Sequence, residues 1–174
     1  GTVGSGVFKT LKSFDNVEIT KIAVRNINKK RNIEGLDNSI ITDDAYEVVN
    51  NPDIDIVAEL VGGLDPAFDL IATAIKNGKH IVTANKELLA KRGEELFNIA
   101  EKYNKVILYE AAIAGGIPII MPVKTILAGN KINHIEAIVN GTTNYILTKM
   151  DVQKASYNDV LKEAQELGYA EADP

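Results

Sequence analysis

The sequence predicts an α/β fold, a doubly wound parallel sheet followed by a segment of different pattern. Three observations carry this. Short β-branched runs alternate with longer amphipathic runs as far as about Tyr109, which is the pattern of βαβ units. A glycine-rich stretch at residues 1–6 opens directly into a helix-like run. After Tyr109 the alternation stops, and an apolar run containing Pro118 and Pro122 replaces it.

Taken in order, residues 3–14 read as a helix with Val3, Val7, Phe8 and Leu11 on one face. Residues 19–24 read as a strand, 26–38 as a polar loop with Lys29, Lys30 and Arg31, and 40–41 as a short strand. Asp43 or Asp44 caps a short helix to about Val49. Residues 55–60 read as a buried strand ended by Gly62 and Gly63. Asp65 and Pro66 then read as an N-cap and first helical residue, with Gly78 ending that helix. Residues 80–83 and 106–109 read as strands. Between them, 86–103 form a helix with Leu88, Leu89, Leu96, Ile99 and Ala100 at helical spacing.

Beyond the fifth strand-like run, residues 117–127 can start a buried helix and 132–139 alternate like a half-exposed strand. Residues 142–150 and 156–167 read as helices, the second with Ser156 and Asp159 as a capping box and Gly168 as C-cap. A boundary falls near 108–118, so residues 1–112 form a first domain and 113–174 begin a second.

Composition narrows the function classes. The 174 residues suit one to two domains. The charge is 19 − 24 = −5, which argues against a general nucleic-acid or membrane-surface binder. There are no cysteines, which excludes a disulfide scaffold, thiolate metal sites and a cysteine nucleophile and fits a reducing compartment. His80 and His134 are the only histidines, too few for a multi-histidine metal site. No apolar run reaches the ~18 residues of a membrane span.

The motifs sit at turns between strand and helix. Gly1, Thr2, Val3 and Gly4 open the first helix, where glycines admit a pyrophosphate to backbone N–H groups. An ordinary loop and N-cap is the alternative. The next strand ends at Val24-Arg25, about where an acid binds the ribose hydroxyls in NAD-selective sites. Arg25, followed by Lys29, Lys30 and Arg31, suits a 2′-phosphate instead, so NADP is expected ahead of NAD. A solvated basic loop is the competing reading. Glu59-Leu60-Val61-Gly62-Gly63 ends another strand, and Gly62 and Gly63 let backbone approach a cofactor. Thr83, Asn85 and Lys86 lie at a third strand-to-helix turn and are expected to contact the cofactor. A desolvated Lys86, its pKa lowered, could orient a carbonyl or carboxylate or shuttle a proton, and Asn85 could bridge nicotinamide or substrate.

Glu110 stands among small residues before Gly115 and Gly116. Its carboxylate and nearby carbonyls could surround a cation such as Na⁺ or Ca²⁺, although from spacing alone a helix-capping glutamate is preferred. Asn140, Gly141 and Thr142 could bind a small polar substrate or cap a helix, and spacing leaves these equal. Residues 168–174 read as a surface loop.

Together these segments resemble the homoserine dehydrogenase family, in order and over almost the whole chain. The resemblance rests most on Thr83-Ala84-Asn85-Lys86 combined with Asn140-Gly141-Thr142-Thr143-Asn144-Tyr145. It implies reversible oxidation of L-homoserine to L-aspartate 4-semialdehyde by NAD(P)⁺, on the route to threonine, methionine and isoleucine. It further implies a Rossmann cofactor domain, an α+β substrate and dimerisation domain, a cytoplasmic homodimer, and residues 132–139 as a candidate interface strand. No nucleic-acid or membrane partner is implied. By motif match, Thr2, Val3 and Lys86 contact the cofactor, and Lys86 also lies near the substrate and takes part in the chemistry. Glu110 with the carbonyls of Ile113, Gly115 and Ile117 matches a monovalent-cation site, Na⁺ first. Asn140, Gly141, Thr142, Gly168, Tyr169 and Glu171 match the substrate side, Gly168 and Glu171 at the homoserine amino end. The family's acid/base lysine lies after Asp-Pro, so the chain reads as a window of a longer enzyme lacking the first strand of its cofactor domain. A non-catalytic dinucleotide-binding or redox-sensing module and another dehydrogenase of the same fold are the alternatives. The absent cysteines count against thiol-dependent semialdehyde dehydrogenases.

Overall fold

The structure is a computed structural model that describes residues 1–138 and 140–170. It divides into two compact units at Tyr109/Glu110. The first unit runs α1 (Thr2–Leu11), β1 (Ile22–Ala23), β2 (Ile41–Thr42), α2 (Ala45–Asn50), β3 (Ile56–Glu59), α3 (Ala67–Lys76), β4 (His80–Thr83), α4 (Lys86–Lys102) and β5 (Ile107–Leu108). The second carries α5 (Ile120–Lys124), α6 (Gly141–Gln153) and α7 (Tyr157–Glu166).

All described strand pairs are parallel, in two sheets ordered β1-β2 and β3-β4-β5. This agrees with a sequence that alternates strand and helix, because parallel neighbours need crossover helices. The register sets Val57 opposite Ile81 and Ile81 opposite Ile107. These three are buried against Phe68, Leu70, Ile71 and Ile75 of α3 and Leu88 and Leu96 of α4. The opposite face departs from expectation. Ile56 is 60% exposed and Leu108 49%, so β3 has one buried face and one open face rather than two buried ones.

Local chemistry explains most element ends. Asp44 caps α2 by accepting from Tyr46 N–H at 2.8 Å. Pro66, not Asp65, occupies the N-cap of α3, and the helix starts one residue later than expected. Gly78, at φ +83°, closes α3 with a double turn. Its N–H reaches the Ile75 carbonyl and that of Lys79 reaches Ala74, which satisfies two orphaned carbonyls. Lys79 then turns inward: it is 1% exposed, and its Nζ donates to the carbonyls of Asn51 and Ile54.

The second unit differs more from the sequence reading. The apolar run at 117–127 yields only the five-residue α5, with Ile117, Met121 and Ile126 exposed. Residues 132–138 form no strand, and Ile132, Ile135 and Ile138 are exposed. A strand needs a paired neighbour, and among the described residues none lies alongside. Val139 falls outside the described residues. The two later helices form as expected. Ser156 accepts from Asp159 N–H and donates to its carboxylate at the start of α7. Ile146, Val160 and Ala164 pack the α6–α7 contact.

Candidate functional site

The start of α1 is built to receive an anion. The first helical hydrogen bond runs from Ser5 N–H to the Gly1 carbonyl at 3.0 Å. The amides of Thr2, Val3 and Gly4 precede it and have no acceptor within the helix. Three such N–H groups at the positive end of a ten-residue helix favour a phosphate. A Cβ added at Gly1 would meet no atom within 4 Å, and at Gly4 only Leu60 Cδ1 at 3.9 Å. The fold itself therefore does not fill the space these glycines leave. The Gly4–Leu60 approach also sets this helix start beside the carboxyl end of β3. Val3, expected on the buried face, is 57% exposed, and Phe8 is the buried residue of α1.

Arg25 follows β1, which Val24 N–H extends by bonding the Thr42 carbonyl at 2.8 Å. Its side chain is exposed. The basic loop behind it is folded on itself. Arg31 donates to the carbonyls of Asn26 and Lys29, both at 2.7 Å. The result is an open polar depression of about 330 Å³ lined by residues 27–32 and Asn38. Lys29, Lys30 and Arg31 all line this open depression.

At the ends of β3 and β4 the structure shows which way two of the expected site side chains face. Gly62 and Gly63 take φ of +77° and +73°, a turn that only glycine adopts without strain. Thr83, expected to touch the cofactor, is 0% exposed, and its hydroxyl donates to Glu59 Oε2 at 2.6 Å. Its side chain faces the interior because period-2 alternation carries it onto the face of Ile81. Asn85, expected to bridge nicotinamide or substrate, is also buried. Its Nδ2 donates to the Gly63 carbonyl at 2.7 Å, and its Oδ1 caps α4 by accepting from Leu88 N–H at 3.1 Å. Both side chains tie loops together. Lys86, the first residue of α4, is exposed, so the expected desolvation is not found in this chain. Among the described residues, no carboxylate pairs with it.

In the second unit, Glu110 caps the start of α5. Its oxygens accept from the N–H groups of Ile119 at 2.6 Å, Ile120 at 2.9 Å and Met121 at 2.9 Å. Burial pushes its carboxyl up, but the bonds from Met121, Ile120 and Ile119 outweigh it and leave the group below its ordinary value. The capping role preferred from spacing is therefore present. Ala114, Gly115 and Gly116 follow one another at positive φ, so the backbone bearing the Ile113, Gly115 and Ile117 carbonyls curls tightly. One carboxylate and carbonyls from such a turn make an all-oxygen donor set, which fits a hard cation. Among the described residues, no group of three or more acidic or histidine side chains could hold a metal.

Two residues expected on the substrate side, Thr142 and Tyr169, 27 positions apart, are brought together. Asn140 caps α6 by accepting from Thr143 N–H at 2.8 Å, and Gly141 begins the helix. The Thr142 hydroxyl donates to the carbonyl of Tyr169. Gly168, at φ +75°, reverses the chain after α7 so that Tyr169 returns to this point. The rings of Tyr145 and Tyr169 meet edge-on at 5.2 Å. Glu171 lies outside the described residues. The residue missed by sequence reasoning is Glu59, quoted within its motif but given no role. Its signal was available: in Val57-Ala58-Glu59 it shares the inward face with a core valine.

Comparison with known proteins fits this geometry. The profile of the homoserine dehydrogenase NAD-binding domain matches residues 1–110, and that of homoserine dehydrogenase matches residues 118–174. A homoserine dehydrogenase of Synechocystis sp. is 46% identical over 181 residues, and one of Bacillus subtilis 43% over 183. Each alignment covers 100% of this chain and 42% of the relative, so the chain spans less than half of their length. The crystal structure of a homoserine dehydrogenase from Thiobacillus denitrificans matches with TM-score 0.92 and 45% identity, covering 100% of this chain and 42% of that one. That of S. aureus homoserine dehydrogenase matches with TM-score 0.76 and 38% identity, covering 100% and 43%. With parallel sheets, a phosphate-ready helix start and both profiles in register along it, the chain belongs to the homoserine dehydrogenase family, and its first unit is a Rossmann-like NAD-binding domain.

Proposed function

We propose that this chain forms the dinucleotide-binding part, and the beginning of the substrate part, of an enzyme that interconverts L-homoserine and L-aspartate 4-semialdehyde. The observation that carries the reading is the union of open α1 amides and the Gly62–Gly63 turn at one edge of the parallel strands. Ligands of open α/β sheets bind outside the carboxyl ends of the strands. When bound, the nicotinamide accepts a hydride from the carbon bearing the substrate hydroxyl, or returns it.

The residues of this chain bind and orient. The amides of Thr2, Val3 and Gly4 hold the pyrophosphate, and Gly1, Gly62 and Gly63 allow backbone to approach it. Arg25 and the basic depression hold a 2′-phosphate, which favours NADP over NAD. Lys86 lies near the substrate and assists removal of its hydroxyl proton; its exposed side chain supports access. Asn140, Gly141, Thr142, Gly168 and Tyr169 contribute to the substrate side, joined by Glu171 at the ammonium end. Glu110 and the carbonyls of Ile113, Gly115 and Ile117 would hold a monovalent cation, Na⁺ first, a fixed charge that orders this turn. Residues 1–112 and 113–174 serve as the two domains. A homodimer forms through the second, a reading supported by the exposed Ile132, Ile135 and Ile138. Among the described residues no helix is long and apolar enough to cross a membrane, and a cytoplasmic setting within amino-acid biosynthesis is part of the proposal.

The test is homoserine-dependent reduction of NADP⁺ by the full-length polypeptide, followed by the absorbance of the reduced nicotinamide. Reduction that requires homoserine is expected. Absence of reduced cofactor under every salt condition would overturn the reading.

A further inference from the structure

We infer that Glu59 is a positioning residue that locks the glycine turn after β3 to the Lys86-bearing turn after β4. The inference rests on the proposed function for its kinetic consequence, and on geometry alone for the linkage itself.

The parallel register sets Glu59 directly opposite Thr83. Both side chains lie on the face that buries Val57 and Ile81, so the inner face ends in a polar pair at the carboxyl edge of the sheet. Glu59 is 3% exposed. Its Oε1 accepts from Val61 N–H at 2.8 Å and Gly62 N–H at 3.0 Å. Its Oε2 accepts from the Thr83 hydroxyl. The same Thr83 oxygen accepts from Asn85 N–H at 3.0 Å. Asn85 then closes the circuit by donating to the Gly63 carbonyl. Two loops that meet nowhere in sequence are thereby joined by one closed chain of hydrogen bonds. Gly62 and Gly63, both at positive φ, are held on both sides. Lys86 follows Asn85 directly, so its backbone position is fixed relative to the glycine turn.

A buried acid on a core face is expensive unless fully hydrogen-bonded. Three donors satisfy Glu59, and two of them belong to a segment expected to approach the cofactor. A carboxylate is the side chain that accepts from both loops at once. Glutamine is nearly isosteric but offers only one oxygen. If that oxygen keeps Val61 and Gly62, the amide group faces Thr83, whose hydroxyl then loses its acceptor.

The experiment uses the full-length polypeptide with Glu59→Gln, Thr83→Val, Thr83→Ser and the double variant Glu59→Gln/Thr83→Val. Amide hydrogen exchange reads the linkage without any activity. Glu59→Gln should speed exchange roughly tenfold or more at Asn85 and Leu88, across the sheet, as well as at Val61 and Gly62. Thr83→Val should do the same in the opposite direction, and Thr83→Ser should restore slow exchange. In homoserine oxidation, kcat should fall up to about 100-fold, as for a misplaced group, and the nucleotide KM should rise with it because the loosened glycine turn faces the cofactor. The double variant should be no worse than the weaker single.

Exchange in Glu59→Gln that loosens only Val61 and Gly62 would overturn the linkage, as would losses in the two single variants that multiply. Should Glu59→Gln fail to fold, the Thr83 pair decides alone: equal exchange at Val61 in Thr83→Val and Thr83→Ser refutes the coupling. An unmutated protein that shows coupled exchange but no homoserine oxidation would defeat the proposed function and leave the linkage standing.

Discussion

Replacing Lys79 by methionine tests the least expected feature of the core. Lys79 is 1% exposed and donates to two backbone carbonyls in the segment leading into β3. Methionine preserves most of the stem volume and removes the charged tip, leaving the carbonyls of Asn51 and Ile54 without this donor. The Asn51 carbonyl keeps the Ile54 N–H at 3.3 Å, so the loss is that of two charge-assisted bonds at about 1.5–3 kcal/mol each, about 3–6 kcal/mol gross. Removing a buried ammonium recovers some desolvation energy, of order a few kcal/mol. A net destabilisation of about 2 kcal/mol is expected. For a chain of this size that lowers the melting midpoint by about 4–8 °C. Because two units are present, a single global transition is not a safe readout. Hydrogen exchange at the amides of β3 and β4 reports the affected unit directly, and should accelerate about thirtyfold for 2 kcal/mol. Unchanged exchange at β3 and β4, or a stabilised variant, would show that the buried lysine is an uncompensated burden and that the reasoning is wrong.

Further outcomes follow from other sites. Gly4→Ala should leave the melting profile of the first unit unchanged, since its Cβ would meet Leu60 at an ordinary 3.9 Å. It should still weaken dinucleotide binding by about tenfold by crowding the phosphate, as measured by nucleotide titration. Arg25→Asp should move the ratio of kcat/KM for NADP⁺ over NAD⁺ down by about 10- to 100-fold, the value of one charge-assisted contact; an unmoved ratio removes Arg25 from the nucleotide site. The Lys149–Glu163 pair, at 2.5 Å, should make the α6–α7 contact sensitive to pH. Hydrogen bonds from Lys149 and then Tyr145 hold Glu163 below its ordinary 4.5. Its contribution is therefore present above pH 4.5 and is lost as pH falls through the lowered value. Hydrogen bonds to Glu163 and then Tyr145 raise Lys149 above 10.5, so its share is complete below that pH and fades as pH rises past the raised value. Glu163→Gln should flatten the acid limb of the helical circular-dichroism signal, and an identical acid limb would dismiss the pair.

Local patterns placed most elements of the first unit. The β-branched runs, Gly78 and Asp44 each act within a few residues, as does the capping Ser156 in the second unit, and their effects are readable without knowing the rest of the fold. The glycine helix start and the Gly62–Gly63 turn were legible for the same reason: backbone freedom belongs to the residue itself. The hydrogen-bond partners of Thr83 and Asn85 were not legible, because the interior these side chains face supplies them. Ile132, Ile135 and Ile138 show the converse limit. Their alternation suits a strand, yet a strand exists only where a neighbour pairs with it.

The sequence by itself determined the α/β class, the phosphate-ready start of α1, the helix caps and the turns that require glycine. Only the tertiary structure decided that Glu59 and Thr83 stand opposite each other, that Lys79 reaches two carbonyls, and that Thr142 meets Tyr169. The reason is physical. Caps and turns are satisfied by groups a few bonds away, whereas a buried polar side chain is satisfied by whatever the strand register and chain reversal bring beside it, and no local pattern encodes that meeting.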